Sequence, residues 1–214
     1  MKPILLTGEM VRSTLAGSKT KTRRPLKPQP DSVHDGAPYW NIWKRGNLAP
    51  LKCPFGKVGD RLWVRETFCL EHQVESDQPP PFTDGRPIRW EFAGMESDPE
   101  GADSMWLQPH YRATDPTPEL SYYGSEEEPT VRWKSSIHMP RWASRITLEI
   151  TEIRVERVEE ITEEEAISEG FFPDDGVSEV YCFSEAWDSL YAKKGLGWYA
   201  NPWVWVIGFR RVKG

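Results

Sequence analysis

The chain has 214 residues, 33 of them acidic and 27 of them lysine or arginine, for a formal net charge of −6. Phosphate neutralisation supplies most non-specific nucleic-acid affinity, so this is not a uniformly basic nucleic-acid binder, and any basic site must be local. The three cysteines, Cys53, Cys69 and Cys182, are odd in number and widely spaced, which excludes a disulfide framework and fits a reducing cytosol.

The chain is long enough for one large domain, 1–214, with a sizeable core. Its apolar start, residues 1–6, is too short for a signal peptide. No stretch approaches the roughly 20 apolar residues of a membrane span. The expectation is a soluble, cytoplasmic protein without a membrane partner. The eleven tryptophans bury large areas but also stack on bases; core packing and anchoring of loops are their plainer uses.

In chain order, residues 3–7 read as a short buried strand. Thr7 caps a helix over 9–16, with Met10, Val11 and Leu15 at helical spacing and Gly17 ending it in the left-handed conformation. A basic turn follows, Ser18-Lys19-Thr20-Lys21-Thr22-Arg23-Arg24. From Pro25 to Gly56 repeated prolines and glycines predict a long irregular loop, pinned by Trp40 and Trp43. Residues 61–68 alternate with period two and predict one strand. Leu62, Val64, Glu66 and Phe68 lie on one face, with Arg61, Trp63, Arg65 and Thr67 on the other.

Residues 70–130 predict a second irregular region, with short strands at 89–93 and 110–113, loops at 79–81 and 97–101, and an acidic loop at 125–129. Residues 145–158 carry the longest strand signal, with a phase shift between Ile150 and Ile153 that predicts a bulge. A helix over 161–171 has Thr162 as N-cap, Glu165 completing a capping box and Gly170 as its stop. A second helix over 182–191 places Phe183, Ala186, Trp187 and Leu190 on one face. Residues 203–212 close the chain as a strand. The expected class is mainly β with short helices (α+β), a small barrel with two long insertions at about 25–57 and 69–135.

The histidines His34, His72, His110 and His138 are scattered, and Cys69-x-x-His72 has no second pair at ligand spacing, so no metal or cofactor is expected. What remains is Lys19 with Thr22. A threonine hydroxyl needs a base, and a lysine serves if burial or neighbouring cations such as Lys21, Arg23 and Arg24 lower its pKa. Three-residue spacing sets Lys19 and Thr22 on one side of a helical turn. A carboxylic acid able to protonate a leaving amine completes an amide-hydrolysis set. Glu169 and Glu66 both qualify, and physics does not choose between them.

The pattern Gly17-x-Lys19-Thr20-x-Thr22-x-Arg24 resembles the signature turn of ASCH domains, a PUA-like β-barrel family. Gly59-Asp60-x-Leu62-x-Val64 is similar to that family's glycine–aspartate strand start. Residues 147–171 resemble the strand-then-helix segment of its small bacterial members that deacetylate N4-acetylcytidine, and Val206-Ile207-x-Phe209 resembles their last strand. The segments 19–24, 60–66 and 137–145 are closer still to ASCH-like proteins of bacteriophages and prophages.

By position, the resemblance implies Lys19 as base, Thr22 as nucleophile and Glu169 as proton donor. The first expectation is therefore an amidohydrolase of N4-acylated cytidine or a related modified nucleobase. The second is a non-catalytic module that reads RNA or a modified base. In it Lys21, Arg23, Arg24, Arg65, Arg141 and Arg145 meet the nucleic acid, Trp63 and Trp142 stack on bases, and Glu66 contributes polar contacts. The third is a phage accessory protein that binds a host protein through its tryptophan-rich insertions. The oligomeric state is not legible.

Overall fold

The computed structural model describes residues 1–30, 32–34, 37–42, 47–73, 89–92, 104–116, 132–173 and 176–212. In chain order the strands are β1 (Lys2–Leu5), β2 (Lys21–Pro25), β3 (Ser32–His34), β4 (Ala37–Ile42), β5 (Asn47–Pro50), β6 (Arg61–Arg65), β7 (Phe68–Gln73), β8 (Arg89–Phe92), β9 (Ser104–Tyr111), β10 (Thr147–Arg157) and β11 (Trp203–Val212). The helices are α1 (Gly8–Ala16), α2 (Glu163–Ser168) and α3 (Glu179–Tyr191). Among the described residues no helix is long and apolar enough to cross a membrane. The chain forms two compact units, one of Met1–Lys2, Ser13–Leu62 and Thr147–Gly214, the other of Pro3–Arg12 and Trp63–Ile146.

The class is α+β, as expected, but the described residues do not form the closed barrel. The main sheet has five strands in the order β1-β6-β10-β11-β2, with β1 and β2 as its edges. Closure needs strands that tilt, stagger and pair edge to edge; these edges are only four and five residues long. The predicted strand over 61–68 is also broken. β6 ends at Arg65, and β7 starts at Phe68 in a separate sheet of order β7-β9-β8. Glu66 and Thr67 are the corner, which period-two alternation hides because both strands keep its phase.

The proline-rich stretch after β2 is not wholly irregular. β3, β4 and β5 form a three-stranded antiparallel sheet in which Pro38 stands opposite Val33 and Pro50 opposite Tyr39. Prolines are scarce inside strands because they cannot donate to the ladder, and they masked the aromatic strand pattern of β4. Trp43, Ala93 and the predicted loops at 79–81, 97–101 and 125–129 lie outside the described residues. The strand predicted at 110–113 is the end of the longer β9, and Arg112 and Ala113 belong to a turn.

Packing in the first unit centres on Val158, Ile161, Ala166, Phe183, Trp187, Val204 and Val206. α3 contributes Phe183 and Trp187 to it, whereas Leu190 of the predicted apolar face is exposed. The predicted bulge is present: the β10–β11 register slips between Ile150 and Glu152. α2 starts as expected, with Thr162 Oγ1 accepting from the Glu165 amide at 3.3 Å, and Gly170 follows it at φ 95°. The second unit has its own core of Phe68, Tyr111, Met139 and Ala143.

Candidate functional site

Register explains how the basic turn meets its partners. Across β11, which lies between β2 and β10, Lys21 and Glu152 both stand opposite Gly208, and Arg23 and Arg154 both stand opposite Val206. Side chains two apart on a strand share a face. Lys21 and Arg23 from β2 therefore share a face with Glu152, Arg154 and Glu156 from β10. Gly208 places no side chain between Lys21 and Glu152; a Cβ there would lie 2.9 Å from the Glu152 Cβ.

α2 supplies Glu165 and, just past its end, Glu169. Lys21 Nζ donates to Glu165 Oε1 at 2.9 Å, Arg23 bonds both Glu156 and Glu165, and Arg154 bonds Glu152, Glu156 and Glu165. The predicted capping box is thus half made, because the Glu165 carboxylate turns to these cations instead of back to the cap. Burial raises the Glu165 pKa, but the Lys21 hydrogen bond, the Arg23 charge and the Arg154 hydrogen bond outweigh it and hold the carboxyl down at about 2.

Lys19 and Glu169 meet inside this network. Lys19 Nζ donates to Glu169 Oε2 at 2.8 Å, to the Glu169 carbonyl at 2.7 Å and to the Lys21 carbonyl at 2.8 Å. The other Glu169 oxygen accepts from Arg23 Nη1 at 3.3 Å. Both side chains are shut off from solvent, at 0% and 2% exposure. Burial lowers the Lys19 pKa; Glu169 opposes it by charge and hydrogen bond, and Arg24 and Arg23 add to the lowering, leaving the net direction down.

Thr22 behaves differently. The turn predicted to set it beside Lys19 is strand from Lys21 onward, so Thr22 points to the face opposite Arg23. It is fully buried, and its Oγ1 has no hydrogen-bond partner. The structure therefore brings Lys19 and Glu169 into contact but makes no hydrogen bond from either to Thr22.

The other predicted contacts divide between structural and exposed roles. Arg23 is not placed to meet phosphates. Its side chain is 0% exposed and committed to three carboxylates, with its guanidinium 5.9 Å from the Phe183 ring. In the second unit Arg145 donates to both Glu66 oxygens, at 3.0 and 2.9 Å, and lies 3.9 Å over the Tyr111 ring. Burial raises the Glu66 pKa, and the Arg145 hydrogen bond and charge only partly offset it. Trp142 packs against the Phe68 core rather than standing free to stack. Trp63 is buried with Arg65 4.8 Å and Arg141 5.7 Å from its ring, and the buried Arg65 Nε lacks a hydrogen-bond partner.

No family model, curated protein or solved structure matches the chain. The site's chemistry rests on its own geometry. Sequence reasoning missed Glu152, Arg154, Glu156 and Glu165 as partners of the basic turn. The signal for the first three was present: alternating charges two residues apart on a strand must share a face. Which face, and opposite which cations, depends on the bulge and on β11 lying between β2 and β10.

Proposed function

We propose that this is an ASCH-type, PUA-like protein acting as an amidohydrolase on an N4-acylated cytidine or a related acylated nucleobase. The observation that carries the reading is the solvent-free Lys19–Glu169 contact, three residues from a buried threonine hydroxyl without a partner. Moving one proton across the 2.8 Å contact converts the ion pair into a neutral amine beside a carboxylic acid. On the Lys19 side burial favours the neutral amine, because it lowers the lysine pKa. The pair then holds a base and an acid at once, the combination amide cleavage needs.

In this reading Thr22 Oγ attacks the acyl carbonyl carbon and its proton passes to the Lys19 amine. The tetrahedral intermediate collapses with cleavage of the carbon–nitrogen bond. The departing exocyclic amine takes the Glu169 proton, leaving the acyl group as an ester on Thr22. Water hydrolyses the ester, releasing the carboxylic acid and restoring the hydroxyl. Lys19 Nζ makes no hydrogen bond to Thr22 in this arrangement, so the reaction requires a rearrangement that substrate binding has to drive. Incubating the purified chain with N4-acetylcytidine should release cytidine, and Thr22→Ala should abolish the release. A wild-type chain inert towards a panel of acylated cytidines overturns the proposal.

A second reading, a nucleic-acid or modified-base reader without turnover, draws on the Trp63 region. A tryptophan flanked by two guanidiniums, one with an unpartnered buried donor, suits a phosphodiester beside a stacked ring. This reading predicts RNA affinity that falls as salt rises. The host-protein reading gains no specific support from the described residues.

A further inference from the structure

Outside the Arg23 ion network, between the end of β2, residues 51–55, Tyr191 and Trp205, lies a cavity of about 360 Å3. It falls in the roughly 300–1,000 Å3 range of small-molecule sites. Among the described residues its lining has three cations, Arg24, Lys27 and Lys52, three aromatic residues, Phe55, Tyr191 and Trp205, two leucines and two prolines, and no carboxylate. In a chain of net charge −6, a cavity whose charged residues, among those described, are all cations favours an anion. From this composition we infer that the first unit carries a binding site for a nucleotide, a flat heteroaromatic ring bearing a phosphate. The inference stands apart from the Lys19–Glu169 chemistry proposed above.

Three features support it. Arg24 and Trp205 are direct cross-strand partners on β2 and β11, which puts a guanidinium and an indole side by side on one sheet face, as recognition of a phosphate and a ring requires. Lys27 and Lys52 are exposed, and neither forms an ion pair with another described residue, in contrast to Lys19, Lys21 and Arg23. The rim is also pre-shaped. Lys2 Nζ holds the Pro54 carbonyl at 2.7 Å, the Leu51 amide bonds the Pro38 carbonyl at 2.8 Å, and the Asp60 carboxylate accepts from the Lys57 amide at 2.9 Å. The Lys52–Phe55 segment therefore presents its lysine and its ring from an anchored loop. A pocket organised before binding loses less affinity to ordering.

Isothermal titration with nucleoside 5′-monophosphates, the matching nucleosides, inorganic phosphate and a 5′-phosphorylated dinucleotide tests the inference. The monophosphate should bind. Nucleoside and phosphate alone should each bind at least about tenfold more weakly, since each lacks half of the recognition. A Lys27→Glu/Lys52→Glu double variant changes only exposed side chains and should keep the wild-type melting temperature while weakening monophosphate binding at least about tenfold. Phe55→Ala should weaken nucleotide and nucleoside together. Binding of the dinucleotide marks a strand end as the source, and its failure marks a free nucleotide; both agree with the site. Absence of monophosphate binding, or binding unchanged in the double variant, overturns it.

Discussion

Thr22 is the residue on which the catalytic reading turns, and its environment makes a measurable claim. A buried hydroxyl without a partner forgoes its hydrogen bond to water, at a cost of about 1–3 kcal/mol. Native structures rarely keep such a group without a reason, and a reactive or ligand-binding role is one such reason. Thr22→Val keeps the side-chain shape and removes the orphan oxygen. The folded protein should then be as stable as the wild type or about 1 kcal/mol more stable, read from urea unfolding midpoints, while any deacylase activity disappears. A loss of stability on this change shows instead that the hydroxyl is engaged, and the residue becomes a packing element. Lys19 offers no comparably clean test. It satisfies three acceptors at once, and its removal leaves Glu169 with Arg23 as its only charged partner among the described residues.

At the scale of elements, the end of α2 aligns the pair. Glu169 caps the helix, and Gly170 turns the chain at φ 95°, where a Cβ would sit 3.0 Å from the Ser13 Cβ and 3.5 Å from the Lys19 Cβ. Gly170→Ala thus meets an unfavourable backbone conformation and a tight neighbour together. It should destabilise the fold by about 1–3 kcal/mol and displace Glu169 from Lys19, so the proposed deacylase activity should fall further than stability alone explains. Chemical denaturation and deacylation assayed on the same preparation check this.

The same elements mark what could be read in the sequence. The ends of α1 and α2, the β10 bulge and the long β11 were legible because caps, left-handed glycines and period-two runs are local signals. The partnership of Lys19 with Glu169 came only from resemblance, since many glutamates qualified on chemistry. β3 to β5 were hidden by prolines, and the corner at Glu66–Thr67 was hidden because two strands in different sheets continued one alternation. The opposite facing of Thr22 and Arg23 followed once residues 21–25 were strand rather than turn. The sequence offered no local feature to decide that, because a run of lysine, threonine and arginine suits both.

For the molecule as a whole, the charge network ties part of the stability in acid to the Glu165 carboxylate. The Glu165 carboxyl is held at about 2 against an ordinary 4.5. A depressed carboxylate contributes stability that is complete above its unfolded pKa and is lost as pH falls through its folded value, so the window runs from about 4.5 down to about 2. Glu66 works the other way. Burial raises its pKa, so its contribution is complete below the ordinary carboxylate range and is lost as pH rises through the folded value. Replacing Glu165 by Gln should therefore lower stability at pH 7, where Lys21, Arg23 and Arg154 lose a shared counter-charge. The gap from the wild type should then close as both are titrated towards pH 2, because the wild-type carboxyl becomes neutral too. Hydrogen exchange at the α2 amides, followed in wild type and Glu165→Gln across that range, reads the gap where it arises. A difference that stays constant with pH would mean that Glu165 acts through packing and that its charge does not hold α2 to the sheet.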